Sequence, residues 1–359
     1  MPQAGGVIRE LPIAMPSGPL GKYAGAVARS ECIERHTLRL EVLSPGRLVP
    51  WLGPAIRGIT AMRYRAATCR QPMAEWKGRW KHCRGCPHLP CCGYGVAFEP
   101  EAATASAPSP PEADHIHAAD RSPTIDAIRR LVIAPAYLAD SVVARRGDSL
   151  EVRMTAIGRT VASTIPGIVT ALADAGRRDG LGPDRVRFTL AEPRPRAAAI
   201  VVNPTQFPSL RADSARLPHV TIKLESPLFL RQREARSRRM ILTPDFAVFL
   251  RHAVRIVREF FPGTQCPDPG YEALVNGVAM IADDLQPFHQ ERASRRTFHR
   301  FTMAGVVGSC TFADVPECVL PWLAIAGILH VGGHRVAGAG GWTVHTRLPR
   351  TPSPPETPQ

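Results

Sequence analysis

Apolar and polar positions follow two different periods along the chain, and the order of these periods predicts its fold. Alternation with a period of two indicates a half-buried strand, and apolar residues at i, i+3, i+4 and i+7 indicate an amphipathic helix. The first half shows strand, helix, strand, strand, helix and strand in that order. The six predicted elements span residues 28–43, 54–68, 93–99, 148–157, 161–175 and 185–190.

A second cycle of the same elements fills the other half of the chain. Its clearest pattern is the helix from Asp245 to Phe261, with apolar residues on one face and arginines on another. The other predicted elements are a strand at 220–230, a helical piece at 271–285, a β-hairpin at 297–312, a helix at 318–329 and a strand at 342–346. The order β-α-β-β-α-β in both halves predicts an α+β chain of two tandem ferredoxin-like (RRM-like) domains.

The length of 359 residues suits two domains of ordinary size. Stretches without an apolar period, rich in proline and small or polar residues, predict the boundaries and insertions. The predicted organisation is an N-terminal domain at 1–191 with a cysteine-rich segment at 69–92 and a flexible insertion at 100–123, a linker at 192–217, a C-terminal domain at 218–348 and a disordered tail at 349–359.

The charge balance points to a polyanionic partner. Lys+Arg number 45 against 31 Asp+Glu, a formal net charge of +14. The codon bias of a GC-rich genome would explain the preference for Arg over Lys, but it does not explain the excess of positive charge. Nucleic acid is the simplest partner for such a surface. The chain has no apolar run of 18 residues and no secretory signal pattern, which predicts a cytoplasmic protein without a membrane helix.

Two groups of arginines in the second half are candidates for contact with RNA. The first holds Arg231, Arg233, Arg236, Arg238 and Arg239 within nine residues, and the second holds Arg292, Arg295, Arg296 and Arg300 beside His299. Charge runs are also typical of an ordinary solvated surface. Because guanidinium groups bind phosphate through paired N–H donors and stack on unpaired bases, the two groups together favour RNA contact.

A glycine-rich loop at 330–342 lies between the last predicted helix and the last strand. Residues without a Cβ let backbone N–H groups approach a phosphate, and His330, His334 and Arg335 add donors or positive charge. Tight turns alone would also explain the glycines. The loop has no Gly-Lys-Ser/Thr sequence, and it leads into a strand, so it is neither a Walker loop nor a dinucleotide fingerprint.

Five of the nine cysteines lie between Cys69 and Cys92. Such clustering suggests metal binding more than disulfides in a cytosolic protein. Cys83 and Cys86 form a Cys-x-x-Cys turn, and Cys69 with Cys92 (or Cys91) could complete a tetrahedral site for structural zinc. His82 and His88 are possible substitutes. Buried free thiols are the alternative.

Several segments, in one order within residues 28–346, resemble a known family. The run Ile328 to Trp342 is similar to the C-terminal signature of the CRISPR-associated repeat-RNA-processing endoribonucleases of the RAMP superfamily. In that family a helix precedes a glycine-rich loop and a final strand. The strand at 221–230, with the helix that follows it, is similar to the start of the family's C-terminal domain. Further similar segments are 51–61, 83–99 and 147–158.

The resemblance implies that the protein binds CRISPR repeat RNA and cleaves the precursor transcript with no catalytic cofactor. A 2′-hydroxyl would attack the adjacent phosphate and leave a cyclic phosphate and a 5′-hydroxyl. The catalytic candidates are His330 in the matched run, His36 at the first strand, and Tyr64, which could orient the hydroxyl. The RNA-binding candidates are Gly332, Gly333, His334, Arg335, Gly338, Gly340, Gly341, Arg231, Arg233, Arg236, Arg238, Arg239, Arg295 and Arg296.

Two alternatives remain open from the sequence. The chain could be a non-cleaving RNA-binding subunit that works with other subunits of a CRISPR effector complex. It could also be a zinc-stabilised nucleic-acid-binding protein unrelated to CRISPR.

Overall fold

The computed structural model describes residues 9–10, 31–70, 83, 86–88, 91–99, 129–192, 196–203, 207–211, 213–233, 238–261, 264, 274–293 and 300–347. The predicted insertion at 100–123 and the predicted tail at 349–359 lie outside these residues. In the described part of the chain, no helix combines the length and the apolar character that a membrane span requires.

The elements of the first half, in chain order, are β1 (Arg9–Glu10), β2 (Glu31–Val42), β3 (Gly46–Leu48), α1 (Gly53–Thr68), α2 (Gly93–Phe98), β4 (Leu131–Pro135), β5 (Val142–Ala144), β6 (Ser149–Ile157), α3 (Arg159–Ala162), α4 (Ile165–Arg178), β7 (Phe188–Leu190) and β8 (Arg196–Val202). Those of the second half are β9 (Arg216–Leu217), β10 (His219–Leu224), β11 (Leu230–Arg233), β12 (Arg238–Ile241), α5 (Phe246–Phe260), β13 (Ala279–Asp283), β14 (Gln286–Ala293), β15 (Arg300–Val307), β16 (Ser309–Ala313), β17 (Val315–Pro316), α6 (Leu320–Leu329) and β18 (Trp342–Arg347).

The first half folds as a ferredoxin-like domain. Its antiparallel sheet has the order β4-β6-β2-β7, with β8 also paired to β2. The helices α1 and α4 pack on one face, where Leu38, Leu40 and Val42 of β2 contribute to a shared apolar core. Burial of such side chains supplies most of the free energy that offsets the ordering of the chain.

The second half repeats the arrangement with the sheet order β18-β10-β16-β13, and β1 adds to its edge. The helices α5 and α6 pack on this sheet, where Phe249 contacts the rings of Phe312 and Trp342 edge-on. The prediction of two tandem ferredoxin-like domains is therefore confirmed.

Four local predictions differ from the structure. Residues 93–98 form the helix α2 rather than a strand, because Tyr94, Ala97 and Phe98 are buried at helical spacing. The segment predicted as a helix at 271–285 contains the strand β13, which pairs with β16. The hairpin joins β14 to β15, so it begins N-terminal to the predicted range 297–312, and only its second strand falls within that range. The range predicted as a linker, 192–217, contains β8, which pairs with β2.

Candidate nucleic-acid interface

The glycine-rich loop lies between the two domains. A Cβ at Gly338 would overlap the backbone of Ala134 in β4, and a Cβ at Gly53, the first residue of α1, would overlap the carbonyl oxygen of Ala337. The second half of the loop, residues 337–341, is buried. Gly338 therefore allows close packing of the domains, Gly340 and Gly341 pack against Val331 and His330 of the same loop, and none of the three is exposed. Of the five glycines predicted to contact RNA, Gly332 and Gly333 are exposed.

His330, the first catalytic candidate, is a structural residue in this fold. Its side chain is buried against Gly341, and its Nδ1 lies 3.1 Å from the carbonyl oxygen of Ala339. Burial lowers the pKa of His330 to about 3, and the positive charges of Arg335, Arg153 and Arg35 contribute in the same direction. A general base must reach the proton that it removes. His330 reaches no surface that RNA can touch.

The other two catalytic candidates are also buried. His36 is 8% exposed and its Nε2 lies 3.3 Å from a carboxylate oxygen of Glu34. Tyr64 is 5% exposed, its ring is 6.1 Å from that of Phe98, and burial raises the pKa of its hydroxyl. Neither side chain is placed to contact an RNA backbone, so the sequence-based choice of catalytic residues is not supported by the structure.

His334 follows the two exposed glycines and is the histidine that the fold presents beside them. Its backbone is left-handed, with a φ of +57°. The edge-on rings of Trp51 and Phe229, with centroids 6.2 and 5.2 Å from that of the imidazole, hold it in place. Burial lowers the pKa of His334, and the nearby charges of Arg292 and Arg231 lower it further. The lowered pKa favours the neutral imidazole, which is the form that can accept a proton.

Arginines from distant parts of the sequence surround His334. The charges of Arg292 in β14 and Arg231 in β11 lower the pKa of His334. The charge of Arg292 also lowers the pKa of Arg57 in α1. The pKa of Arg57 falls to about 10, mainly through burial and then through the charge of Arg129. Like charges held this close favour binding of a polyanion, which relieves their mutual repulsion. Sequence inspection missed Arg57 and Arg129 because neither belongs to an arginine run.

A cavity of about 410 Å³ lies between the exposed glycines and the helix α5. One wall is the loop at 331–336 together with Arg129, and the other is the exposed side of α5. Burial lowers the pKa of His252 on α5, as do the charges of Arg255 and Arg251. The residues that α5 contributes to the cavity are His252, Arg255, Ile256 and Glu259.

Arg335, predicted to contact RNA, is engaged in the fold itself. Its guanidinium donates to the carbonyl oxygens of Leu329 and Arg129 and lies 5.0 Å from the centre of the Phe260 ring. These contacts tie the loop to the chain before β4. Its contribution to the site is therefore to fix the loop and the backbone of Arg129.

Only part of the two predicted arginine groups falls within the described residues. Arg231 is exposed on β11, and the hairpin of β11 and β12 carries the backbones of Arg233, Arg238 and Arg239. The side chains of these three residues, and all of Arg236, Arg295 and Arg296, lie outside the described residues.

The cysteine segment does not support the predicted zinc site. Cys69 follows the last residue of α1 and Cys92 precedes α2, and both lie close enough to Cys83 to raise the pKa of its thiol. Burial raises the pKa of Cys83 to about 11, which is typical of a protonated thiol. Among the described residues, which include Cys86, no group of three or more histidine, cysteine or acidic side chains is arranged to hold a metal ion.

Two family models match the chain. Residues 31–208 match an N-terminal domain model (AF_1859_N), and residues 222–342 match the model for the CRISPR-associated endoribonuclease Cas6. No curated protein sequence matches. The C-terminal domain is thus similar to a CRISPR-associated endoribonuclease family, as the sequence resemblance predicts. The Cas6 model covers residues 222–342, which make up most of the C-terminal domain and less than half of the chain.

Solved structures to which the chain is similar include Cas6 proteins. A Cas6 product complex has a TM-score of 0.47 at 13% identity, with 86% of this chain and 98% of that chain covered. Thermus thermophilus Cas6 has a TM-score of 0.46 at 12% identity, with coverage of 88% and 99%. A Cas6-related protein from Pyrococcus furiosus has a TM-score of 0.42 at 10% identity, with coverage of 88% and 98%.

Proposed function

We propose that this protein cleaves CRISPR repeat RNA at the exposed turn Gly332–His334 and that no metal ion takes part in the reaction. The observation that carries the proposal is the position of His334, a neutral histidine beside two exposed glycines and within the field of Arg231 and Arg292. Its site thus holds a proton acceptor and two cations, which are the groups that attack by a 2′-hydroxyl requires. Assembly with other effector subunits stays a prediction of the family resemblance.

In the proposed reaction, His334 removes the proton from the 2′-hydroxyl next to the scissile phosphate. The freed oxygen forms a bond to phosphorus, and the bond from phosphorus to the 5′ oxygen of the next nucleotide breaks. Arg231 and Arg292 stabilise the negative charge that builds on the phosphoryl oxygens. The departing 5′ oxygen takes up a proton from water. The products are a 2′,3′-cyclic phosphate and a 5′-hydroxyl.

The test is cleavage of the repeat RNA from the protein's own genome, in EDTA, by the wild type and by His334→Ala. We expect the wild type to make one cut and the variant to lose at least about 100-fold in rate while it still binds RNA. The exposed His219 of β10 supplies the control His219→Ala, which should cut normally. Cleavage by His334→Ala at the wild-type rate would reject His334. Tight binding without any cut by the wild type would favour the non-cleaving alternative.

The pH dependence of the cut gives a second readout. The pKa of His334 lies below the ordinary value of 6.5, because burial and the neighbouring arginines disfavour its charged form. A base must be deprotonated to act, so the single-turnover rate should be constant around pH 7 and should fall only as the pH drops below about 6.5. A rate that keeps rising tenfold per pH unit above pH 7 would contradict this assignment.

A further inference from the structure

The cavity between α5 and the glycine-rich loop is not used by the proposed cleavage step. It shares Gly332, Gly333 and His334 with the cleavage site, but its other wall comes from the exposed side of α5. A volume of about 410 Å³ lies in the range of roughly 300–1,000 Å³ that is usual for small-ligand sites. The cavity is therefore large enough for one nucleotide that is bound next to the scissile phosphate.

The lining combines apolar and basic groups in a way that suits a nucleotide. Ile256 and Val331 are largely buried beneath the cavity and offer apolar surface for the face of a base. Arg255 and Arg129 supply positive charge for a phosphate. Unpaired bases of RNA are commonly held in this manner, with one face packed on protein and the Watson–Crick edge hydrogen-bonded.

Glu259 is the one acidic side chain among the residues that line the cavity. It is exposed, and within the described part of the chain its carboxylate enters no ion pair or hydrogen bond. A carboxylate repels the RNA backbone, so it weakens a surface that serves only to bind phosphates. A carboxylate does accept hydrogen bonds from the amino group of a base, as in the pairing of Glu with cytosine N4.

We propose that this cavity is a specificity pocket that takes one unpaired nucleotide of the repeat RNA and reads an amino group on its Watson–Crick edge through Glu259. The proposal rests on the proposed function for the identity of the ligand as repeat RNA. Arg255, one turn before Glu259 on the same helix, holds the phosphate of that nucleotide. Cytosine is the base that fits this donor requirement most directly, and uracil at the same position lacks the amino group.

The experiment measures binding and does not depend on cleavage. Repeat RNA carrying a 2′-deoxy nucleotide at the cut site is prepared, together with a series in which each unpaired cytosine is replaced by uracil. For the wild type we expect one replacement to weaken binding about tenfold, in line with the loss of a base-specific hydrogen bond. Glu259→Gln should reduce this difference to less than about threefold, because an amide accepts more weakly than a carboxylate.

The matched control is Glu317→Gln, which removes an exposed glutamate near the start of α6, away from the cavity lining. It should keep the full discrimination. The proposal is overturned if Glu259→Gln keeps the wild-type discrimination, if it only strengthens binding to every RNA by the same factor, or if the wild type shows no discrimination at any cytosine. A wild type that discriminates but never cuts supports the pocket and rejects only the proposed cleavage.

Discussion

Gly338 and Gly147 share a left-handed backbone and differ in what surrounds them. Their φ values are +81° and +89°, but a Cβ at Gly338 would meet Ala134 and the carbonyl oxygen of Ile133, and a Cβ at Gly147 would meet nothing within 4 Å. Gly147→Ala should therefore cost roughly 1–2 kcal/mol in unfolding free energy from the backbone alone. Gly338→Ala should cost about 1–3 kcal/mol more, because it also overpacks the contact between the domains.

Urea unfolding of the two variants, followed by far-ultraviolet circular dichroism, checks this prediction. Since both substitutions force alanine into the same backbone region, the difference between them isolates the packing of the loop against β4. Equal losses of stability would show that the loop does not pack against β4 in solution. RNA binding of Gly147→Ala should equal that of the wild type.

At the residue scale, the sequence identified the kinds of side chain in the site but not which of them are exposed. His330 and His334 lie four positions apart in one glycine-rich run, yet the first is buried and the second faces the arginines. That difference depends on how β4 and α1 pack against the loop. Such packing joins Gly338 to Ala134 and Ala337 to Gly53, which are pairs more than 200 positions apart in the sequence, and no local pattern reveals them.

The helix α5 depends at its start on a single capping side chain. The carboxylate of Asp245 accepts a hydrogen bond of 2.7 Å from the backbone N–H of Val248. Asp245→Ala should lower the unfolding free energy by about 1 kcal/mol. Asp245→Ser should keep most of the wild-type stability, because serine is also a good N-cap. Thermal unfolding of the two variants gives the comparison. A serine variant no more stable than the alanine variant would mean that the cap contributes nothing.

At the element scale, prediction succeeded where the whole signal is local. The bounds of α5 differ from the predicted ones by a single residue at each end, because the cap and the apolar face lie within the helix itself. Prediction failed for β13 and for the hairpin of β14 and β15, whose pairing partners decide their structure. The cysteine-rich segment, the predicted insertion and much of the arginine hairpin remain predictions because the described residues do not cover them fully.

At the scale of the whole molecule, the two domains are joined by polar and apolar contacts that together form the site. The side-chain amide of Gln290 in β14 both donates to and accepts from the backbone of Trp51, at 3.0 and 3.1 Å. Arg153 of β6 donates to Glu225 at 2.6 Å. Ile33 and Val202 of the first sheet belong to the core of the second domain. Arg57 thereby comes close enough to Arg129 and to Arg292 for their charges to lower its pKa, although Arg292 lies more than 200 positions away in the sequence.

The net charge of +14 predicts salt-sensitive RNA binding, and the proposed cleavage site assigns part of this dependence to Arg231 and Arg292. Replacing both Arg231 and Arg292 by alanine should lower the slope of log affinity against log salt by about 1.4, or about 0.7 for each lost contact to single-stranded RNA. The control, with alanine at Arg178 and Arg211, removes the same charge from two exposed arginines that are paired with Asp174 and Asp213. Filter binding at several salt concentrations should therefore give the control the wild-type slope. If the two double variants have the same slope, the RNA follows another surface and the site around His334 is misassigned.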